Sequence, residues 1–190
     1  MIPNIKNLIE KYTQFALANN IVFEGGSDAR KCMFLMSLVG MMGDEVLIVE
    51  TGFNAGSSAT AFCEASKLRK MNCKVISIEI DEKKRPIAEE VIDDYPNLEV
   101  IFNDSTTALF DLLPKYTGKV EIFFVDGGHL PDQCIIDIKF ALTLLKPMGI
   151  LLIDDSGHEW IQKAIKETIG LASTVQISHG SGISMYQKKA

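Results

Sequence analysis

The stretch VLIVETGFNAGSSATAF (Val46–Phe62) joins an apolar run to a helix-like segment through an acid, two glycines four apart and two serines. The apolar run reads as a buried strand that ends in Glu50. Gly52 and Gly56 permit a tight turn and close approach of backbone to a ligand. Asn54 tolerates a left-handed conformation, so it stands where a further glycine would serve. Ser57 or Ser58 is expected to cap the following helix. The pattern is E-x-G-x-N-x-G rather than the dinucleotide-binding G-x-G-x-x-G, and a carboxylate before the loop disfavours a pyrophosphate. Taken alone, the same residues also make an ordinary strand–turn–helix corner.

Working outward, similar short apolar runs recur at KVISIEI, LEVIF, VEIFFVD and GILLIDD. Helical segments separate them, over about 57–70, 82–94, 106–116 and 132–145, with a last helix over about 158–171. Runs apolar on both faces and alternating with helices indicate a parallel sheet covered on both sides. STVQISHGSGISMYQ adds two strands joined by a tight HGSG turn. Upstream, apolar residues from Ile5 to Ala16 recur at helical spacing, and a second helix follows a cap at Ser27 or Asp28. The expected fold is α/β: a doubly wound, mostly parallel, seven-stranded Rossmann-like sheet with a C-terminal antiparallel hairpin and two N-terminal helices. No linker or repeat interrupts it, so residues 1–190 form one domain, with 1–43 covering a cleft and 44–190 forming the core.

The bulk chemistry narrows the partners. A chain of 190 residues with a net charge of −6 lacks the basic balance of a phosphate-backbone binder, so no nucleic-acid partner is expected. Cys32, Cys63, Cys73 and Cys134 form no C-x-x-C pair or metal-ligand spacing and read as reduced, buried thiols. The charged N-terminus has no signal-peptide core, and no run reaches the roughly 18 apolar residues of a membrane span. A cytoplasmic protein with a small-molecule partner and no membrane contact is expected. The methionines at 33, 36, 41 and 42 read as pliable packing, and that apolar helix would also serve as a homodimer face.

In a doubly wound sheet, ligands lie beyond the carboxyl ends of the strands. Those ends carry Glu50-Thr51-Gly52, Glu79-Ile80-Asp81, Asn103-Asp104-Ser105, Asp126-Gly127-Gly128-His129 and Asp154-Asp155. A carboxylate at Glu79 suits a ribose diol, because its oxygens accept two hydroxyl hydrogen bonds; a solvated strand-end acid is the alternative. Asp104 and Ser105 are placed to reach an adenine amino group, although NDS is also a common turn and cap. Asp126, Asp154 and Asp155 would converge from neighbouring strands and repel unless a cation joined them, and an all-oxygen set suits Mg²⁺. Here too a plain turn and a helix cap are alternatives. His129 has the better pKa for a general base, with His158 second and His179 structural. Arg30 or Lys31 in SDARK would orient an anionic substrate, but a capped, solvated helix start is the favoured reading.

With these motifs in place, the chain resembles the class I S-adenosylmethionine-dependent methyltransferases. Within them it is similar to small-molecule O-methyltransferases such as catechol O-methyltransferase and the antibiotic-sugar enzymes. VETGFNAGSSA, VISIEID, FNDSTTAL and FFVDGGH…LLKPMGILLIDD carry the resemblance, from about Val46 to the C-terminus. It implies that Glu50, Gly52, Asn54, Gly56, Ser58, Glu79, Ile80, Asp104, Ser105 and Asp126 hold the cofactor S-adenosylmethionine. It also implies that Asp126, Asp154 and Asp155 hold a divalent metal, Mg²⁺, and that His129 stands where catechol-type enzymes carry a lysine base. The implied reaction is O-methylation of a small-molecule hydroxyl. The alternatives are a non-catalytic S-adenosylmethionine-binding module and a nicotinamide-dependent oxidoreductase.

Overall fold

The structure, a computed structural model, describes residues 5–22, 28–128, 130–169, 174–180 (backbone only) and 182–190. Its centre is a sheet of seven strands in the order β3-β2-β1-β4-β5-β7-β6. They span Glu45–Thr51 (β1), Asn72–Glu79 (β2), Leu98–Phe102 (β3), Val120–Val125 (β4), Leu145–Ile153 (β5), Thr174–Gly180 (β6) and Ile183–Lys188 (β7). All neighbours from β3 to β5 are parallel, while β7 runs antiparallel to both β5 and β6. The terminal hairpin is therefore present with β7 as its inner strand; its expected HGSG turn includes Ser181, which lies outside the described residues.

The helices are α1 (Ile5–Ala18), α2 (Ala29–Gly40), α3 (Ser57–Arg69), α4 (Arg85–Asp94), α5 (Ser105–Tyr116), α6 (Pro131–Leu144) and α7 (Glu159–Ile169), with a 3-10 turn over Glu82–Lys84. Strand periodicity distributes them between two faces. Val46 and Ile48 of β1, Ile122 and Phe124 of β4, and Ile150 and Leu152 of β5 pack on one side with α1–α4. Val49, Phe123, Val125, Leu151 and Ile153 pack on the other with α5–α7. Burying each of the fully enclosed Phe123 and Phe124 rings contributes about 2 kcal/mol.

The chain runs leftward from β1 to β3 with helices on one face, then returns past β1 to β4 with α5 on the other. The strand order reverses between β1 and β4, which is where a doubly wound sheet opens a crevice.

Helix α3 is buried on all sides from Ser57 to Ser66, so its small residues show no amphipathic stripe. Its N-cap is Gly56, at φ 74°, and not a serine. A Cβ there would lie 2.8 Å from the Phe53 ring, so the turn takes a residue without a side chain and forgoes a side-chain cap. Asn54 does adopt the left-handed conformation, at φ 49°. Helix α2 is capped by Asp28, whose Oδ1 accepts from the Arg30 and Lys31 N–H groups, both at 2.8 Å. Of the four methionines in or just after it, Met36 and Met42 pack on the core, while Met33 and Met41 are exposed.

Candidate active site

The carboxyl ends of the central strands are stitched by backbone hydrogen bonds. Gly52 N–H donates to Ile78 O at 2.8 Å, Asn103 N–H to Glu79 O at 2.9 Å, Asp126 N–H to Thr51 O at 3.0 Å and Asp154 N–H to Val125 O at 2.9 Å. The loops after β1 and β4 touch at the switch point. A Cβ on Gly52, at φ 92°, would sit 2.4 Å from the Asp126 carbonyl oxygen, so only glycine lets the two loops meet. Above them lies a cleft of about 950 Å³. That is at the upper end of ordinary small-ligand sites.

Seven of the ten residues assigned to the cofactor line this cleft: Gly52, Asn54, Glu79, Ile80, Asp104, Ser105 and Asp126. Glu50, Gly56 and Ser58 do not. Glu50 is wholly buried beneath the loop; Ser77 Oγ donates to its Oε1 at 2.7 Å, and Oε2 has no hydrogen-bond donor among the described residues. Burial pushes its carboxyl group up to about 7, against the opposing pull of the Ser77 and Ser58 hydroxyls.

Glu79 is held from below. Its Oε2 accepts from Asn54 N–H at 2.7 Å, its Oε1 from Asp81 N–H at 2.9 Å, and Lys84 Nζ stands 3.4 Å from Oε2. Oε2 is thus met by two donors, while Oε1 keeps a second lone pair, so the rim of the cleft presents a fixed acceptor oxygen. Asp104 takes the alternative role that its sequence allowed: Oδ1 accepts from Thr107 N–H at 2.9 Å and caps α5. The Ser105 hydroxyl is likewise turned inward, donating to Asp137 Oδ1 at 2.8 Å and accepting from Gln133 Nε2 at 2.7 Å. Gln133 Nε2 also reaches Asp137 Oδ1 at 2.9 Å.

Gln133 and Asp137 were not anticipated. The signal for Asp137 was a lone acid within the apolar CIIDIKF of α6, where a fully buried carboxylate requires partners. Ile21 and Val22 after α1, together with Leu130, complete the apolar wall of the cleft beside Ile78 and Ile80. Apolar walls, a glycine floor and a carboxylate on the rim fit an adenosine moiety, and on these grounds the residues fit S-adenosylmethionine.

The expected metal centre is not assembled. Among the described residues, no group of three His, Cys, Asp or Glu side chains is arranged to hold a metal ion. Lys31 intervenes: its Nζ lies 2.7 Å from Asp154 Oδ2 and 3.8 Å from Asp155 Oδ1. The favoured reading of Lys31 as part of a solvated helix start is thereby corrected. The residue crosses from α2 to the end of β5, and its side chain is only 20% exposed. Asp126 opens onto the cleft with its carboxyl group against that of Asp154; burial, and then Asp154, push Asp126 well above the usual carboxylate range. The residues as placed do not fit a divalent ion. His129 lies outside the described residues. His158 is exposed, stacks on Trp160 with ring centroids 6.0 Å apart and does not line the cleft. No helix among the described residues is long and apolar enough to cross a membrane, and all four cysteines are free and buried.

A methyltransferase domain family matches residues 49–156, more than half of the chain. The chain belongs to this family: it is a methyltransferase domain of the S-adenosylmethionine-dependent class. Among curated proteins it is similar to ribosomal RNA small subunit methyltransferase A of Thermotoga petrophila, at 35% identity over 149 residues, covering 78% of this chain and 52% of that protein. The enzyme of that name from Afipia carboxidovorans is 32% identical over 122 residues, covering 62% of this chain and 39% of that protein. The chain thus spans about half or less of the length of these relatives. Among solved structures, the Bacillus cereus O-methyltransferase in complex with S-adenosylhomocysteine superposes with a TM-score of 0.75 at 18% identity, over 95% of this chain and 90% of that one. The tomaymycin-synthesis O-methyltransferase of Streptomyces achromogenes, solved with S-adenosylmethionine, gives 0.69 at 16% identity, over 96% and 89%. These likenesses show the shared fold.

Proposed function

We propose that this chain transfers a methyl group from S-adenosylmethionine to a hydroxyl oxygen of a small molecule. The carrying observation is Glu79, a carboxylate pinned by two backbone N–H groups on the rim of an apolar-walled cleft. Bound there, S-adenosylmethionine supplies an electrophilic methyl carbon on a sulfonium. Glu79 would accept the ribose hydroxyls, while Ile78, Ile80 and Leu130 exclude water around the base. Asp126 lies where the cleft meets the end of β4, at the side from which an acceptor would approach. The bond formed is oxygen to methyl carbon and the bond broken is sulfur to methyl carbon. The hydroxyl proton passes to a base, for which the sequence offers His129. Holding both partners in line is the main contribution of such a site, worth several kcal/mol (about 7 or more in favourable cases).

A second reading, methylation of ribosomal RNA, is favoured by the 35% identity to the Thermotoga petrophila enzyme. The net charge of −6 opposes it, since a phosphate-backbone partner calls for a basic face. The test has two arms. S-adenosylhomocysteine should raise the melting temperature while NAD should not; no response to S-adenosylhomocysteine would refute the cofactor assignment. Transfer of labelled methyl is then compared between a panel of catechols and sugar hydroxyls and undermethylated small-subunit RNA. Label appearing only in RNA overturns the small-molecule reading, and binding without any transfer leaves a cofactor-binding module.

A further inference from the structure

The acid cluster at the ends of β4 and β5 already contains a cation. Lys31 Nζ makes a 2.7 Å contact with Asp154 Oδ2, 123 residues away in sequence, and a longer one of 3.8 Å with Asp155 Oδ1. Asp126 also acts electrostatically on Lys31. The Asp154 side chain is only 5% exposed, and its Oδ1 has no hydrogen-bond partner among the described residues. Each of these three carboxylates therefore feels the same ammonium group. The position of Lys31 is not accidental to a mobile loop: Asp28 caps the helix that carries it, and its neighbours Cys32 and Leu35 are fully buried. Gly182, just before β7, lies over the pair; a Cβ there would be 3.6 Å from Lys31 Cε and 3.8 Å from Asp154 Oδ1, ordinary contact distances. A hard divalent ion on Asp154 would need carboxylate oxygens at about 2.0–2.6 Å and would have to displace this ammonium.

We propose that Lys31 is the resident cation of this cluster, standing where a divalent ion would otherwise be held, so that the acceptor side of the cleft is organised without metal. That this is the acceptor side rests on the proposed methyltransferase function. Lys31 acts here as a positioning residue: it holds Asp154, and through Asp154 the facing Asp126, in one arrangement.

The experiment titrates Mn²⁺ into the purified protein and into Lys31→Met, following the ion by electron paramagnetic resonance and the protein by thermal melting. The wild type should neither take up Mn²⁺ at its strand-end carboxylates nor respond to chelator. Lys31→Met should melt lower and be restored by Mn²⁺, binding it at least tenfold more tightly than the wild type. A wild-type site that binds Mn²⁺ stoichiometrically and is lost in Asp154→Asn overturns the proposal, as does a Lys31→Met protein with no gain in Mn²⁺ affinity. Should Lys31→Met fail to fold, the wild-type and Asp154→Asn titrations still decide. S-adenosylhomocysteine binding is measured on the same samples. Its absence would refute the cofactor reading while leaving the Mn²⁺ result to stand.

Discussion

The two halves of the cleft are built by different means. On the β1–β2 side, Glu79 is held first by the peptide N–H groups of Asn54 and Asp81, at 2.7 and 2.9 Å, with the Lys84 ammonium a longer third contact at 3.4 Å, so its position follows mainly from the path of two turns. On the β4–β5 side, Asp154 is held by Lys31, a flexible side chain from a helix outside the parallel core, and Asp126 lies against Asp154. Backbone-held groups are fixed wherever the fold is intact. Side-chain-held charges depend on one partner and are exposed to its loss. On the proposed reading, the first half would hold the cofactor and the second would face the acceptor.

The largest expected effect breaks the side-chain half. Lys31→Met leaves the buried Asp154 carboxylate without its cation and should destabilise the fold by about 4 kcal/mol, the usual cost of breaking a buried pair by removing one partner. Urea unfolding measures it. A loss below 1 kcal/mol would mean that the cluster is solvated and that the contrast between the halves is false.

The second effect comes from beneath the backbone-held half and depends on pH. Burial pushes the Glu50 carboxyl group up to about 7 in the folded protein from its ordinary 4.5. The folded state therefore holds the proton more tightly, and the contribution of Glu50 to stability is fully present below pH 4.5, falls as the pH rises to about 7 and is lost above it. The linkage amounts to about 3 kcal/mol for a group of this burial. Glu50→Gln should remove that slope, so the variant gains on the wild type between pH 5 and pH 8. Parallel denaturation curves at both pH values would contradict the burial argument.

The third sharpens the comparison itself. Glu79→Gln keeps the shape but removes the charge on the rim, a loss of about 2 kcal/mol for hydrogen bonds to an ionised group, or roughly 30-fold in S-adenosylhomocysteine affinity. Calorimetry on Glu79→Gln and Lys31→Met together should show the cofactor lost by the first and retained by the second. Equal losses would mean that the two halves are not separable.

The same contrast explains what was legible in the sequence. Strand-end acids could be read because apolar runs announce where strands stop, and seven of ten cofactor candidates do reach the cleft. Glu50 was misjudged because side chains alternate along a strand, and Glu50 is wholly buried on β1 rather than open to the cleft. The helix cap at Gly56 was missed because the demand there is steric, set by the Phe53 ring, and outweighs the preference for serine. Lys31 was illegible for a different reason. Nothing local distinguishes a lysine that snorkels into water from one that reaches 123 residues across the fold, and a charge count near a helix start favours the former. The metal reading took no account of it: the carboxylates were legible, and the ammonium that lies on Asp154 was not.

The smallest effect tests whether Ser105 belongs to the site at all. Its hydroxyl faces away from any base in the cleft, donating to the fully buried Asp137 and accepting from Gln133. Ser105→Ala should therefore cost about 1 kcal/mol of stability through one lost hydrogen bond to a buried carboxylate. It should change S-adenosylhomocysteine affinity by less than about threefold, because the amide N–H at the start of α5 is untouched. A tenfold loss of affinity with unchanged stability would reverse the assignment and place the hydroxyl on the ligand. In that event the inward network of Gln133 and Asp137 would have to rearrange on binding, and the β3 end of the cleft would join the side-chain-held half rather than the backbone-held one.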